Sequence, residues 1–144
     1  MQRIFFILLF GFLYFHLEAQ EVGIRFGEMA GNNIAIDGVF AWKDSRIHAD
    51  ISFGEGIGMD AVYDFVVQPI NAVDNLYYYM GVGLTILFGD EFKFGAVGEV
   101  GIEYRFQNSP ISLSLDYKPA IIIFETTDFL WGNFGINARY VFNK

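Results

Sequence analysis

The stretch from Phe92 to Pro119 alternates between apolar and polar residues, and this alternation restricts the fold more than any other feature of the chain. From Phe92 to Phe106, large apolar residues hold most of the even-numbered positions, while charged residues and glycines hold most of the odd-numbered ones. Successive side chains of a β-strand point to opposite faces, so the pattern predicts a long strand with one apolar and one polar face. The alternation resumes at Ile111 after the turn residues 107–110, which predicts a hairpin.

Further segments repeat this alternation less regularly, and the whole chain predicts eight strands. They are expected near residues 21–27, 34–42, 47–54, 59–68, 76–88, 92–106, 111–118 and 133–142. Glycine, asparagine, aspartate and proline cluster between them, as is typical of turns. The segment Ala120–Trp131 is largely apolar without clear alternation, and it either extends the seventh strand or forms a surface loop.

Arg3 and the twelve apolar residues that follow it, Ile4–Phe15, have the layout of a secretory signal peptide. A membrane-spanning helix needs about 20 apolar residues, so this stretch is too short to serve as one. We therefore predict a cleaved helical signal peptide over residues 1–19 and a single exported domain over residues 20–144. The chain has no cysteine, which excludes disulfide bonds, thiolate metal sites and a lipid anchor on cysteine.

Composition indicates where the apolar faces point. The chain is 53% hydrophobic and 18% charged, which is too apolar for most small soluble domains and too periodic for a helical membrane protein. The interior of an eight-stranded barrel holds little more than its own inward side chains, so the large apolar residues of these strands would not fit inside it. We therefore predict an all-β fold, an eight-stranded antiparallel up-and-down transmembrane β-barrel whose apolar face contacts lipid. A soluble exported β-sandwich is the alternative, because two packed sheets bury more apolar area.

Four segments of the chain resemble one family. GVGLTILFG, VGEVGIEYRF, SPISLSLDYKPAI and the closing WGNFGINARYVF are similar to segments of the small outer-membrane β-barrel proteins of the Bacteroidota, relatives in shape of the OmpA-type membrane domain. The resemblance covers roughly residues 20–144. It implies insertion into the outer membrane of a Gram-negative bacterium, with outer-membrane lipid and the barrel assembly machinery as partners and no assigned reaction.

The polar faces carry charged residues that would point into such a barrel. We predict that they form an ion network in the lumen, made of Arg25, Asp37, Asp50, Glu99, Glu103, Arg105, Asp116, Lys118 and Arg139. A narrow lumen filled in this way is plugged, so a structural role or an interaction through the loops is favoured over the alternative of a narrow channel. The net charge of −8 argues against nucleic acid as a partner.

No group of residues has the spacing of a catalytic, cofactor or metal site. His48, Asp50 and Ser52 share one strand face, but such neighbours lie about 6–7 Å apart, which is too far for the hydrogen bonds of a catalytic triad. Asp60 and Asp64 lack the ligand loop of a calcium site, and the glycine-rich segments lack the lysine of a phosphate loop. We predict a protein that is not an enzyme and has no cofactor.

The short turns also predict strand register. A three-residue loop at 89–91 places Gly81 opposite Glu99 and Tyr79 opposite Gly101, so that large inward side chains meet small ones. A four-residue connection at 107–110 pairs Phe106 with Ile111, Tyr104 with Leu113, Ile102 with Leu115 and Val100 with Tyr117. It also sets Glu99 opposite Lys118.

Tyr140 and Phe142 lie on the apolar face of the last strand. We predict that they belong to an outward aromatic girdle and form the terminal signal that the barrel assembly machinery recognises. At the opposite end of the barrel the loops are expected near 28–33, 54–58, 89–91 and 120–132, and only the last is long enough to present a surface to a partner.

Overall fold

The computed structural model describes residues 19–124 and 127–142, and its regular elements there are all β-strands. Within these ranges no helix is long and apolar enough to cross a membrane. The predicted signal peptide lies outside the described residues, apart from Ala19, where the first strand begins. The strands are β1 (Ala19–Met29), β2 (Asn32–Trp42), β3 (Ser45–Phe53), β4 (Gly56–Pro69), β5 (Leu76–Gly89), β6 (Lys93–Arg105), β7 (Ile111–Tyr117), β8 (Ala120–Ile122), β9 (Asp128–Leu130) and β10 (Phe134–Val141).

Antiparallel pairing between neighbouring strands closes the sheet into a barrel. Each strand from β1 to β6 pairs with the next, β7 pairs with both β6 and β10, and β10 returns to pair with β1. The seam between first and last strands joins Glu21–Gly27 to Gly135–Val141. The predicted eight-stranded up-and-down barrel is therefore confirmed, and the alternative of a β-sandwich is wrong.

Ten strand segments make eight barrel strands because the last hairpin is interrupted on both sides. β7 and β8 pair with successive parts of β6 and are separated by Lys118 and Pro119. Proline has no N–H to donate to a ladder, so the break falls where it stands. β9 pairs with β8 as β10 pairs with β7. Of the two possibilities for Ala120–Trp131, the structure shows extension of the seventh strand, by β8. The expected long loop at 120–132 is wrong in extent, because β8 and β9 occupy part of it.

The predicted registers are confirmed for the pairs that lie within these strands. Gly81 pairs with Glu99 and Tyr79 with Gly101 across β5 and β6. Val100 pairs with Tyr117, Ile102 with Leu115 and Tyr104 with Leu113 across β6 and β7. The alternation therefore stays in phase along both hairpins, and all charged groups of one strand face reach the same side of the wall.

The polarity of this barrel is inverted relative to a soluble protein. Among the described residues, twenty buried side chains are polar or charged and only ten are hydrophobic. The outward face is apolar throughout, with Val82 59% exposed and Phe134 63% exposed. Soluble proteins bury lysine, arginine, aspartate and glutamate only rarely. Here they account for twelve of these thirty buried side chains.

Exposed aromatic rings cluster at both ends of the barrel. We call the end where β1 begins and β10 stops the terminal end, and the opposite end the distal end. At the terminal end Tyr140 contacts Phe142 and Tyr104 contacts Phe106, with ring centroids 5.1 and 5.0 Å apart. At the distal end the ring pairs are Phe88–Phe92, Phe92–Phe124 and Phe129–Trp131.

We expect Gly81→Ala to lower the free energy of unfolding by about 1–3 kcal/mol, because the added methyl group overpacks the wall. A Cβ at Gly81 would lie 2.4 Å from the Tyr63 carbonyl oxygen and 2.5 Å from Asp64 Oδ1. Gly98→Ala is the matched control, since its Cβ would meet only Pro119 atoms, at 3.8 Å or more. Denaturant titration in detergent micelles measures both variants, and equal midpoints would contradict the predicted crowding at Gly81.

Candidate functional site

His48 lies at the centre of the charged interior and is fully buried. Its Nδ1 atom is 2.5 Å from Glu99 Oε1, and its Nε2 atom is 2.5 Å from Asp37 Oδ1. Asp50 comes no closer than 3.8 Å, and the Ser52 hydroxyl instead accepts a hydrogen bond from Asn32. His48, Asp50 and Ser52, which share one strand face at alternate positions, therefore form no catalytic triad, in agreement with the sequence-based expectation.

A row of charges follows the inner wall from β3 to β7. Arg46 pairs in register with Asp64 on β4, Asp64 with Gly81 on β5, and Gly81 with Glu99 on β6. Arg46 Nε donates to Asp64 Oδ2 at 2.8 Å. Lys118, beyond the end of β7, has its Nζ atom 3.8 Å from Glu99 Oε1. Two carboxylates thus flank a glycine, and a cation lies outside each of them.

Lys118 makes its closest contact across the lumen rather than along the wall. Its ammonium group donates to Asp50 Oδ2 on β3, so the expected neighbour Glu99 is the more distant partner. Both lysine and aspartate are buried. The contact joins opposite sides of the barrel, which sequence spacing could not reveal.

Glu103 connects three guanidinium groups near the terminal end. It accepts hydrogen bonds from Arg46 NH1 and Arg139 NH1, both at 3.0 Å, and from Arg105 Nε at 2.6 Å. Arg139 also donates through Nε to Asp37 Oδ2 at 2.5 Å, and its NH2 atom is 3.1 Å from His48 Nε2. Through Arg139 the terminal cluster is continuous with the central histidine.

The distal half holds a separate pair. Arg25 donates to both oxygens of Asp116, from Nη2 to Oδ1 at 2.7 Å and from Nε to Oδ2 at 3.2 Å, and both side chains are fully shielded from solvent. Asn137 Nδ2 donates to the second oxygen of the same carboxylate at 2.7 Å. A two-pronged guanidinium–carboxylate contact of this kind is among the strongest polar interactions in proteins.

All nine residues predicted for the lumen lie in these clusters. Eight of them are buried, and Arg105 is the exception, with 34% of its side chain exposed at the rim. The predicted network of nine residues did not include Glu21, Arg46, His48 and Asp64. Arg46 was assigned to a turn, although counting back two positions from His48 would have placed it on the inner face. Tyr140 and Phe142 face outward as expected, at 51% and 56% exposure.

Negative charge exceeds positive charge inside the barrel. Four Lys and Arg side chains are buried among the described residues: Arg25, Arg46, Lys118 and Arg139. The buried carboxylates number eight: Glu21, Asp37, Asp50, Asp60, Asp64, Glu99, Glu103 and Asp116. His48 and the partly exposed Arg105 leave an excess of carboxylates even if both are counted as cations. One oxygen in each of Asp50, Asp64 and Glu99 is buried without a hydrogen-bond partner.

The distal mouth forms an open cleft of about 400 Å³ above this network. Its lining includes Glu55, Asp90, Glu91 and Lys93. Below it, cross-lumen contacts such as Arg25 to Asp116 and Lys118 to Asp50 fill the interior. Comparison with models of known protein families, with curated proteins and with solved structures found no match.

Proposed function

We propose that this protein is an integral β-barrel of the outer membrane of a Gram-negative bacterium, with a lumen plugged by ion pairs and with no enzymatic activity. It serves as a structural component or as a binding partner through its distal end. The observation that carries the proposal is the inverted polarity, an apolar outer face around a charged interior. The resemblance to small outer-membrane barrels of the Bacteroidota points to the same compartment.

The outer face is difficult to reconcile with water. The largest apolar patch on a soluble monomer covers about 300–600 Å², whereas here large apolar side chains are exposed on every barrel strand. Outer-membrane barrels instead need a continuous apolar band of about 25 Å between aromatic girdles at the two interfaces. The aromatic pairs at the terminal and distal ends support the presence of such girdles.

The interior supports a plugged barrel better than a channel. Arg25, His48, Lys118 and Arg139 each contact a carboxylate on a different strand, and three of these four residues are at most 1% exposed. Opening a water path would separate charges that are held in a medium of low dielectric constant, where an unpaired charge is costly. The distal loops and the β8–β9 extension therefore offer the surfaces for a partner.

A lipid-facing barrel predicts a large penalty for charge at the middle of the outer face. Val82 lies at the centre of β5 and is 59% exposed. In lipid vesicles we expect Val82→Arg to lower the free energy of unfolding by about 2–4 kcal/mol, because the guanidinium group would sit near the bilayer midplane. Denaturant titration of protein folded into vesicles measures the loss.

Val73→Arg is the matched control, because Val73 is exposed in the turn between β4 and β5. Its free energy of unfolding should change by no more than about 0.5 kcal/mol. If Val82→Arg were equally harmless, the outer face would not contact lipid. A wild-type chain that stays monomeric in buffer without detergent and fails to float with vesicles would also refute the proposal.

A further inference from the structure

Two carboxylates and an imidazole converge on the wall position left open by Gly81. One ligand atom from each of His48, Asp64 and Glu99 can be chosen so that the three lie within 4.8 Å of one another. Asp64 and Glu99 are the cross-strand neighbours of Gly81 on its two sides. A Cβ at that glycine would come within 2.5 Å of Asp64 Oδ1, so glycine keeps this space clear.

Unpartnered oxygens point to an additional cation. Asp64 Oδ1 and Glu99 Oε2 accept no hydrogen bond. Water does not compensate for this, because Asp64 is 0% and Glu99 2% exposed. A buried carboxylate without compensation is costly. The lumen as a whole also lacks positive charge, because the buried carboxylates among the described residues outnumber the buried lysines and arginines.

We propose that the lumen binds one divalent transition-metal ion through His48 Nδ1, Asp64 and Glu99. Zinc and similar ions bond nitrogen and oxygen ligands at about 2.0–2.2 Å, so two ligand atoms of one ion are at most about 4.4 Å apart. Ligand atoms of a tetrahedral ion lie about 3.4 Å apart at these bond lengths, so side-chain shifts on the order of 1 Å bring the three groups around one ion. The Nδ1 atom, now 2.5 Å from Glu99 Oε1, then binds the metal, and the proton that it carried is released to solvent as the ion enters.

The surroundings of His48 suit a metal ligand. A histidine that ligates a metal usually donates its other ring N–H to a carboxylate or carbonyl, which fixes the tautomer. Nε2 faces Asp37 Oδ1 at 2.5 Å, and Arg139 Nε donates to the second oxygen of Asp37. Arg46 holds Asp64 through its other oxygen, which leaves Oδ1 free for the ion.

The donor set selects the class of ion. One imidazole nitrogen with carboxylate oxygens suits zinc, nickel, copper or iron, whereas calcium and magnesium prefer oxygen ligands alone. The spacing of these residues in the chain cannot predict the site, because they come from β3, β4 and β6 and are brought together only when the barrel closes. The proposal therefore departs from the sequence-based expectation of no metal site.

Untagged wild-type protein provides the first test. Because the cluster is buried, chelator-treated unfolded protein is refolded into detergent with Zn²⁺ and desalted, and its bound zinc is measured by mass spectrometry. We expect one zinc ion per chain, with an X-ray absorption spectrum showing one imidazole and oxygen donors at about 2.0–2.2 Å. His48 is the only histidine between residues 20 and 144, so an imidazole signal identifies it.

Asp64→Asn and Asp60→Asn form a matched pair of variants. Asp60 lies on the same strand and the same buried face, four residues away and outside the cluster. We expect Asp64→Asn to weaken zinc binding at least about 100-fold, since ligand loss should match or exceed the usual effect of outer-shell changes. Asp60→Asn should bind like wild type.

Three results would overturn the proposal. They are wild-type protein that binds no zinc, bound zinc without an imidazole signal, and an Asp64→Asn variant that binds zinc as tightly as wild type. If the wild-type protein binds no zinc, a proton shared among His48, Asp64 and Glu99 compensates the two carboxylates instead of a metal ion. Heat-modifiable migration shows whether each variant has folded, and if Asp64→Asn does not fold, the wild-type metal content and spectrum decide.

Discussion

Arg25→Met is expected to lower the free energy of unfolding by about 3–5 kcal/mol, because it leaves the buried Asp116 carboxylate without its cation. The double variant Arg25→Met/Asp116→Asn should be more stable than Arg25→Met alone, since neither charge remains. The pair suits this test because it makes few other hydrogen bonds among the described residues: Asn137 Nδ2 donates to Asp116, and Arg25 donates to the Glu28 carbonyl. Denaturant titration in vesicles of the wild type, Arg25→Met, Asp116→Asn and the double variant gives four free energies of unfolding, and their cycle gives the coupling energy.

Arg105→Met is the matched control for Arg25→Met, because it removes an arginine whose side chain is partly exposed to solvent. Arg105 contacts Glu103 and Glu21 at the rim, and 34% of its side chain is exposed. Glu103 keeps its hydrogen bonds from Arg46 and Arg139, and Glu21 keeps its contacts with Ser112 and Arg139, so neither carboxylate is left unpaired. We therefore expect a loss of no more than about 1 kcal/mol. If Arg25→Met were as mild as Arg105→Met, the lumen pair would be hydrated and the plugged interior would be refuted.

Removing the last residues from Tyr140 onward should abolish assembly in the outer membrane. Tyr140 pairs with Val22 on β1 and with Ile111 on β7, so it contributes to both seams of the last strand. The Phe142 N–H donates to the Gln20 carbonyl at 2.8 Å. The truncation removes the predicted recognition signal and part of the barrel closure together.

Tyr140→Ser/Phe142→Ser separates these two effects because it keeps the backbone ladder. We expect this variant to fold from urea into vesicles, where no assembly machinery is present, yet to be missing from the outer membrane of expressing cells. Phe134→Ser/Ile136→Ser, on the same face and the same strand, is the control and should assemble. Heat-modifiable migration of cell envelopes reports assembly. Normal assembly of the terminal variant would show that these two rings are not the signal.

The alternation of apolar and polar residues predicted most of the fold. Alternation of period two depends only on the pleat, so each strand's inner and outer faces can be assigned from neighbouring residues. Short turns then set the register of the β5–β6 and β6–β7 pairs, and the structure confirms both. The same logic failed at Ala120–Trp131, where the residues are apolar without alternation and where Pro119 interrupts the ladder.

The sequence by itself determined the strands, their two faces, the hairpin registers and most of the charged residues that face inward, because all of these follow from contacts between near neighbours. Only the tertiary structure decided which charges meet. His48 and Glu99 are separated by 51 positions in the chain, and Arg25 and Asp116 by 91. Such pairs depend on how far the closed sheet staggers and on which side chains reach across the lumen, and barrel closure sets both quantities for the whole sheet at once.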